Sequence, residues 1–165
     1  DNVAYAPLSN MVCADRPFEV HERSITSDGP LVILAATDGC FGYLATPAHF
    51  ELLLLQSLQR SADVDEWSRR LLASVKAVAA DDASLGMLAL GWGSFADLRS
   101  AFATRAHDLE VTHGRPFEGL EPGDRTRLVA AREESWERYR GGYHEHVADA
   151  MLAGVAEGGG SRAPG

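Results

Sequence analysis

Cysteine is scarce in this chain: two residues in 165, Cys13 and Cys40, with no Cys-x-x-Cys pair. That excludes a disulfide-dense scaffold, and the two thiols read as reduced side chains of a cytoplasmic protein. Cys40 has no evident histidine partner in the sequence, which makes a thiolate nucleophile the weaker reading of it. Basic residues are also short, 15 Lys and Arg against 24 Asp and Glu, for a formal net charge of -9. Such a balance speaks against nucleic acid as a partner, because binding there needs a basic surface to neutralise phosphates. It leaves open a phosphorylated substrate held through metal ions. No stretch reaches the roughly 20 apolar residues of a membrane helix, since Glu51, Gln56, Gln59 and Arg60 interrupt the leucine-rich segment. No membrane partner is expected. The chain begins with Asp1 rather than Met, and nothing ahead of the apolar run at 31–36 has the layout of a signal peptide. It reads as a piece of a longer protein.

What is present is ordinary for a globular domain: 45% hydrophobic and 24% charged residues, in a length that suits one modest core. There is no internal repeat. The first third has β character. Phe18 to Thr26 and Leu31 to Ala36 flank Ser27-Asp28-Gly29-Pro30, and Asp-Gly between two strand-like runs is a strong hairpin signal. The second run is apolar without alternation, which predicts a central strand covered on both faces.

Two helices are predicted next. Thr46-Pro47 supplies an N-cap and a first-turn proline, and Phe50, Leu53, Leu54 and Leu58 then share a face. Ser61-Ala62-Asp63 ends that helix, and Asp63 with Glu66 forms a capping-box pair for the next. Val64, Trp67, Leu71, Val75 and Val78 mark its apolar stripe. Ser84 to Trp92 returns to strand, with Leu85, Met87 and Ala89 on one face. From Ser94 the pattern is helical again: Phe95, Leu98, Phe102 and Leu109 form a stripe that Gly114-Arg115-Pro116 breaks. A last helix is predicted over 122–153, kinked at Gly141-Gly142, followed by a glycine-rich disordered tail at 157–165.

One constellation carries chemistry. An apolar strand ends in Thr37-Asp38-Gly39, and a second begins just after Asp81-Asp82. If the two strands are neighbours in one sheet, both carboxylates can sit at the same end. Two hard oxygen ligands converging there suit Mg2+ or Mn2+. Spacing alone leaves the plainer alternative open, in which each aspartate belongs to a turn.

The residues around these aspartates carry a family resemblance. Leu31-Val32-Ile33-Leu34-Ala35-Ala36-Thr37-Asp38-Gly39 resembles the strand-plus-Asp-Gly segment of the metal-dependent protein serine/threonine phosphatases of type 2C. Phe41-Gly42-Tyr43-Leu44 and the Thr46-Pro47 helix start are similar to the family's loop and helix after that segment. Asp81-Asp82-Ala83-Ser84, leading into Leu85 to Leu90, resembles the Asp-Asn segment that opens the family's late strand, where bacterial members often have Asp-Asp. Pro7 to Val12 and Ala14-Asp15 are similar to the preceding loop and strand of bacterial members. The ordered match covers residues 7–92.

The resemblance implies an α+β fold, an antiparallel β-sandwich flanked by helix pairs, of which residues 1–92 supply the C-terminal half. Residues 93–156 would be a helical extension packing on it. It implies hydrolysis of phosphoserine and phosphothreonine in proteins by a water bridging two Mn2+ or Mg2+ ions, with no covalent nucleophile. Asp38 and Asp81 match the two late aspartates that hold one metal. Asp82 stands at the family's usual Asn position and is the next candidate if the register shifts by one, and for Asp15 a place near the site is the weaker reading and a solvated loop position the stronger. The family's early metal-binding Asp, its phosphate-binding Arg and its general-acid His have no counterpart here. The isolated chain is therefore expected to be inactive. The competing reading is a non-catalytic pseudophosphatase or interaction module whose helical C-terminal region binds a partner.

Other residues invite blander readings. His144 and His146 stand two apart, unlike the four-residue spacing of a helical zinc pair, and are expected on the surface. His49 and His113 are expected as capping or surface residues. Trp67, Trp92 and Trp136 are expected in packing positions, and the mixed-charge stretch Arg132 to Arg138 on a solvated helix face.

Overall fold

The structure, a computed structural model, describes residues 29–121 and 123–158. The predicted strand Phe18–Thr26, the segment 7–15 with Asp15, and tail residues 159–165 lie outside the described residues. So does the turn before Gly29. The element order is β1 (Leu31–Ala36), α1 (Pro47–Gln59), α2 (Val64–Val78), β2 (Leu85–Leu90), α3 (Phe95–Ala101), α4 (Ala103–Leu109) and α5 (Arg125–Gly158). A π turn at Glu110–Gly114 and a 3-10 turn at Arg115–Phe117 connect the last two helices.

β1 and β2 pair antiparallel in register Leu31↔Leu90 through Ala36↔Leu85. Side chains alternate across such a ribbon, so Val32 and Ala36 share a face with Met87 and Leu85. These four pack against the helical core. The opposite face is apolar yet open: Ile33, Leu88 and Leu90 are 50%, 52% and 45% exposed. This corrects two expectations. β1 is covered on one face rather than two. The described residues form a mixed α+β arrangement with one two-stranded sheet, and a β-sandwich, which needs two stacked sheets, is not formed. The reason is that the apolar spacing after residue 92 is helical, so no further described segment offers strands. The far end of the ribbon is closed by Gly91, whose φ of +86° and close approach to Pro30 exclude a side chain.

α1 starts where Thr46-Pro47 predicts, but its apolar residues serve two cores. Ala48, Leu52, Leu55 and Leu58 join Trp67, Leu98, Ala106 and Leu109 in the main cluster. Phe50, Leu53 and Leu54 reach a smaller one built on Cys40, Leu71 and Val75. The face marked by the sequence periodicity is thus only half of what α1 buries, because a helix apolar on most sides is enclosed by neighbours rather than laid on one. The α1–α2 corner is tied by hydrogen bonds. Trp67 Nε1 donates to Ser57 Oγ at 3.1 Å, and Arg99 Nη1 donates to the Ser61 carbonyl at 2.9 Å. Asp63 caps α2, its Oδ1 accepting from Glu66 N, while Glu66 Oε2 reaches back to Ala62 N.

In α2, Trp67, Leu71 and Val75 are buried, whereas Val64 and Val78 at its ends are exposed. α3 and α4 bring in Leu98 and Leu109 as the periodicity requires. Two further expectations change. α5 is one continuous helix through Gly141-Gly142 and includes Glu157 and Gly158, because two glycines cost only about 1 kcal/mol each in a helix interior and do not of themselves stop it. Trp136 is exposed rather than packed in a core.

Leu58, 1% exposed at the centre of the main cluster, gives the direct test of this packing. Leu58→Ala should lower stability by about 2–5 kcal/mol in urea unfolding, and a loss under about 1 kcal/mol would contradict the core described.

Candidate functional site

The strand pairing continues one step beyond the regular ladder. Thr37 N donates to the Ser84 carbonyl at 3.0 Å, and Ser84 N donates to Thr37 Oγ1 at 2.9 Å. Asp38 therefore leaves β1 at the same end at which Asp81 and Asp82 approach β2. Asp38, Gly39 and Cys40 form a 3-10 turn in which the Asp38 carbonyl accepts from Phe41 N. The turn is pressed onto the other segment: a Cβ on Gly39 would run into the Asp82 carbonyl and stand 3.3 Å from Ala83 Cα. Cys40 is buried among Leu71 and Val75, and its thiol donates to the Ser84 carbonyl at 3.2 Å.

Each carboxylate is held by the backbone amide of the next residue. Asp38 Oδ1 accepts from Gly39 N at 3.0 Å, and Asp81 Oδ1 accepts from Asp82 N at 2.7 Å. Asp38, Asp81 and Asp82 are all exposed. No group of three or more His, Cys, Asp or Glu able to hold a metal ion occurs among the described residues. The aspartates thus offer at most part of a ligand set.

A second polar arrangement lies inside the molecule, where sequence placed nothing. His49 Nδ1 and Thr46 Oγ1 are 2.8 Å apart, Thr46 Oγ1 and Ser135 Oγ 3.2 Å, and Ser135 Oγ and His113 Nδ1 2.8 Å. The chain links the start of α1, the middle of α5 and the π turn. Thr46, Ser135 and His113 are buried, which overturns the surface expectation for His113. His49 Nε2 is also buried, with no hydrogen-bond partner among the described residues.

Burial lowers the pKa of both imidazoles below their usual 6.5. Arg132 adds to the effect at His49, against the backbone of His113. At His113 the other ring, Arg105 and Arg138 add to it, against Glu51. Beside this chain Glu51 accepts two hydrogen bonds from Arg105, at 2.8 and 2.7 Å. Burial raises the Glu51 pKa, but the hydrogen bonds of Arg105 and Tyr139 outweigh it and the net shift is downward. Burial, then the Glu51 charge, pushes the Tyr139 phenol up to about 12.

No family model, curated protein or solved structure matches this chain. The site is therefore read from its own chemistry. The strand-end aspartates can offer hard oxygen ligands to a divalent cation. The largely buried chain joins the start of α1, the middle of α5 and the π turn, so its groups can hold those elements together. The 250 Å³ cavity beside His113, lined by Arg105, Arg138, Tyr139 and Tyr143, does not include Ser135.

The signal that could have found Ser135 was its place in the stripe Leu128, Ala131, Ser135, Tyr139, the inward face of α5. Arg132, Glu133, Glu134, Glu137 and Arg138 around it are exposed as the mixed charge predicts.

The close approach at the strand ends has a mutational consequence. Gly39→Ala must displace the Asp82 backbone and should cost about 1–3 kcal/mol. Gly86→Ala, where a Cβ meets nothing within 4 Å, should stay within about 0.5 kcal/mol. Equal values for the two in urea unfolding would contradict the apposition.

Proposed function

We propose that the chain is the C-terminal part of a metal-dependent protein serine/threonine phosphatase of type 2C, acting in the cytoplasm on phosphoserine and phosphothreonine in proteins. Asp38 and Asp81 are the residues assigned to one Mn2+ or Mg2+ ion, with Asp82 the substitute if the register shifts by one. What supports the reading is a single observation: antiparallel pairing brings the end of β1 and the entry to β2 to one end of the sheet, backbone against backbone. When bound, the metal pair would polarise the phosphate and lower the pKa of the attacking water. The chain's own contribution is narrower. Two exposed carboxylates at a fixed turn can hold an ion, and Gly39 keeps the turn close.

The remaining ligands, the phosphate-binding Arg and the general-acid His have no counterpart among these residues, so catalysis needs further polypeptide. The open apolar face of the sheet, Ile33, Leu88 and Leu90, is a surface that more protein could cover. That same face also favours a second reading, a non-catalytic module that docks a partner there.

Turnover separates the two. A longer polypeptide carrying this chain with its upstream region should release phosphate from a phosphothreonine peptide with Mn2+, and Asp38→Asn should lower the rate at least about a hundredfold with the circular dichroism spectrum unchanged. Unaltered turnover in that variant would refute the metal assignment. Absence of Mn2+-dependent turnover in the parent would favour the docking module.

A further inference from the structure

α5 is attached by a seam with little apolar area. Among its described side chains only Ser135 is buried, and Tyr139 is the residue that packs, half-buried, on the main core. The geometry points to the His49–Thr46–Ser135–His113 chain as an acid-released latch that holds α5 on the body while both imidazoles are neutral and lets it go when they are protonated.

Proton counting gives the reason. Three hydrogen bonds join four groups, and each needs one hydrogen. Two hydroxyls supply two, so one imidazole must donate through Nδ1 while the other accepts. The neutral chain satisfies this in either sense of direction, with His113 Nδ1–H or His49 Nδ1–H as the donor at one end and the two hydroxyls passing the direction along. Two imidazolium rings would place four hydrogens in three positions and leave one hydroxyl hydrogen buried without an acceptor, which is unfavourable.

Charge works in the same direction. Facing His49 are Arg132 from α5 and His113 from the π turn, with the Phe117 ring edge-on at 4.4 Å. Facing His113 are His49 and Glu51 from α1, Arg105 from α4, and Arg138 and Tyr139 from α5. Glu51 is acidic but engaged by Arg105, and Asp108 of α4 lines the same cavity beside His113. Arg132 and Arg138 both belong to α5, so protonating either ring repels the helix the latch holds.

Linkage sets the sign. Both rings titrate below 6.5 when docked and return to ordinary imidazole behaviour when released. The released state therefore binds more protons, docking is at full strength above pH 6.5, and it weakens as pH falls below that value.

Trp136, next to Ser135 in α5 and lining an open groove with Ala45, Thr46 and Pro47 of the body, is a built-in reporter. With 5-fluorotryptophan in all three Trp positions, 19F NMR should show the Trp136 signal moving to a released position between pH 7.5 and 5.0. The released fraction should rise about tenfold or more, while the Trp67 and Trp92 signals stay in place. A Trp136 signal that does not respond, or three signals that respond together, would overturn the latch. The double variant His49→Gln, His113→Gln should abolish the response, and a folded double variant that keeps it would also overturn the proposal. If that variant fails to fold, the titration of the native chain decides alone.

Discussion

A helix that is apolar on nearly every side has to be enclosed, and α1 imposes that condition on everything around it. Ala48, Leu52, Leu55 and Leu58 draw in Trp67 of α2, Leu98 of α3, and Ala106 and Leu109 of α4. Its other residues, Phe50, Leu53 and Leu54, draw in the smaller cluster beneath the strand ends. At about 25 cal/mol per Å² of apolar surface removed from water, this enclosure is the largest favourable contribution available to the chain. The two strands are placed by it as well. Val32, Ala36, Leu85 and Met87 face the helices, and their pairing then fixes where Gly39 meets the Asp82 backbone.

The two polar arrangements differ in what surrounds them. Asp38 and Asp81 stand in solvent, each carboxylate steadied by the next backbone amide, a setting open to a cation. The His49–Thr46–Ser135–His113 chain is largely buried, and its Nδ1 and hydroxyl groups pair with one another under a fixed hydrogen count. One suits exchange with solvent and the other suits holding a helix. The π turn contributes to the second, since its wider coil carries His113 inward and seats Gly114 against Leu52, where a Cβ would stand 3.1 Å from the leucine methyl. Irregular turns of this kind often occur at functional positions.

Much of the local structure was legible in the sequence, because local rules decide it. Thr46-Pro47 marked the start of α1, Asp63 with Glu66 marked the start of α2, and the alternation of Leu85 and Met87 marked the inward face of β2. The sheet partner, by contrast, could be posed only as a condition, since pairing across 47 positions at Thr37 and Ser84 has no local signature. An unbroken apolar run suggested that β1 is covered twice, yet only one side is, because such a run states what a strand could bury and not what is present to bury it. Ser135 and His113 were opaque for a related reason. Their partnership joins α5 to the π turn, and the charges flanking Ser135 hide an inward residue inside a solvated stretch. Gly141-Gly142 looked like a break because glycine lowers helix propensity, but propensity yields readily to the helical residues on both sides.

The end of β1 and the entry to β2 are proposed as a cation-binding end of the sheet. Titrating Mn2+ into the 15N-labelled chain and following amide signals tests it most directly, since the paramagnetic ion broadens only nearby resonances. The account predicts selective loss at Asp38–Gly42 and Asp81–Ser84, with Asp38→Asn and Asp81→Asn each weakening the effect at both segments. Broadening of one segment without the other, or uniform broadening across the acidic surface, would contradict it.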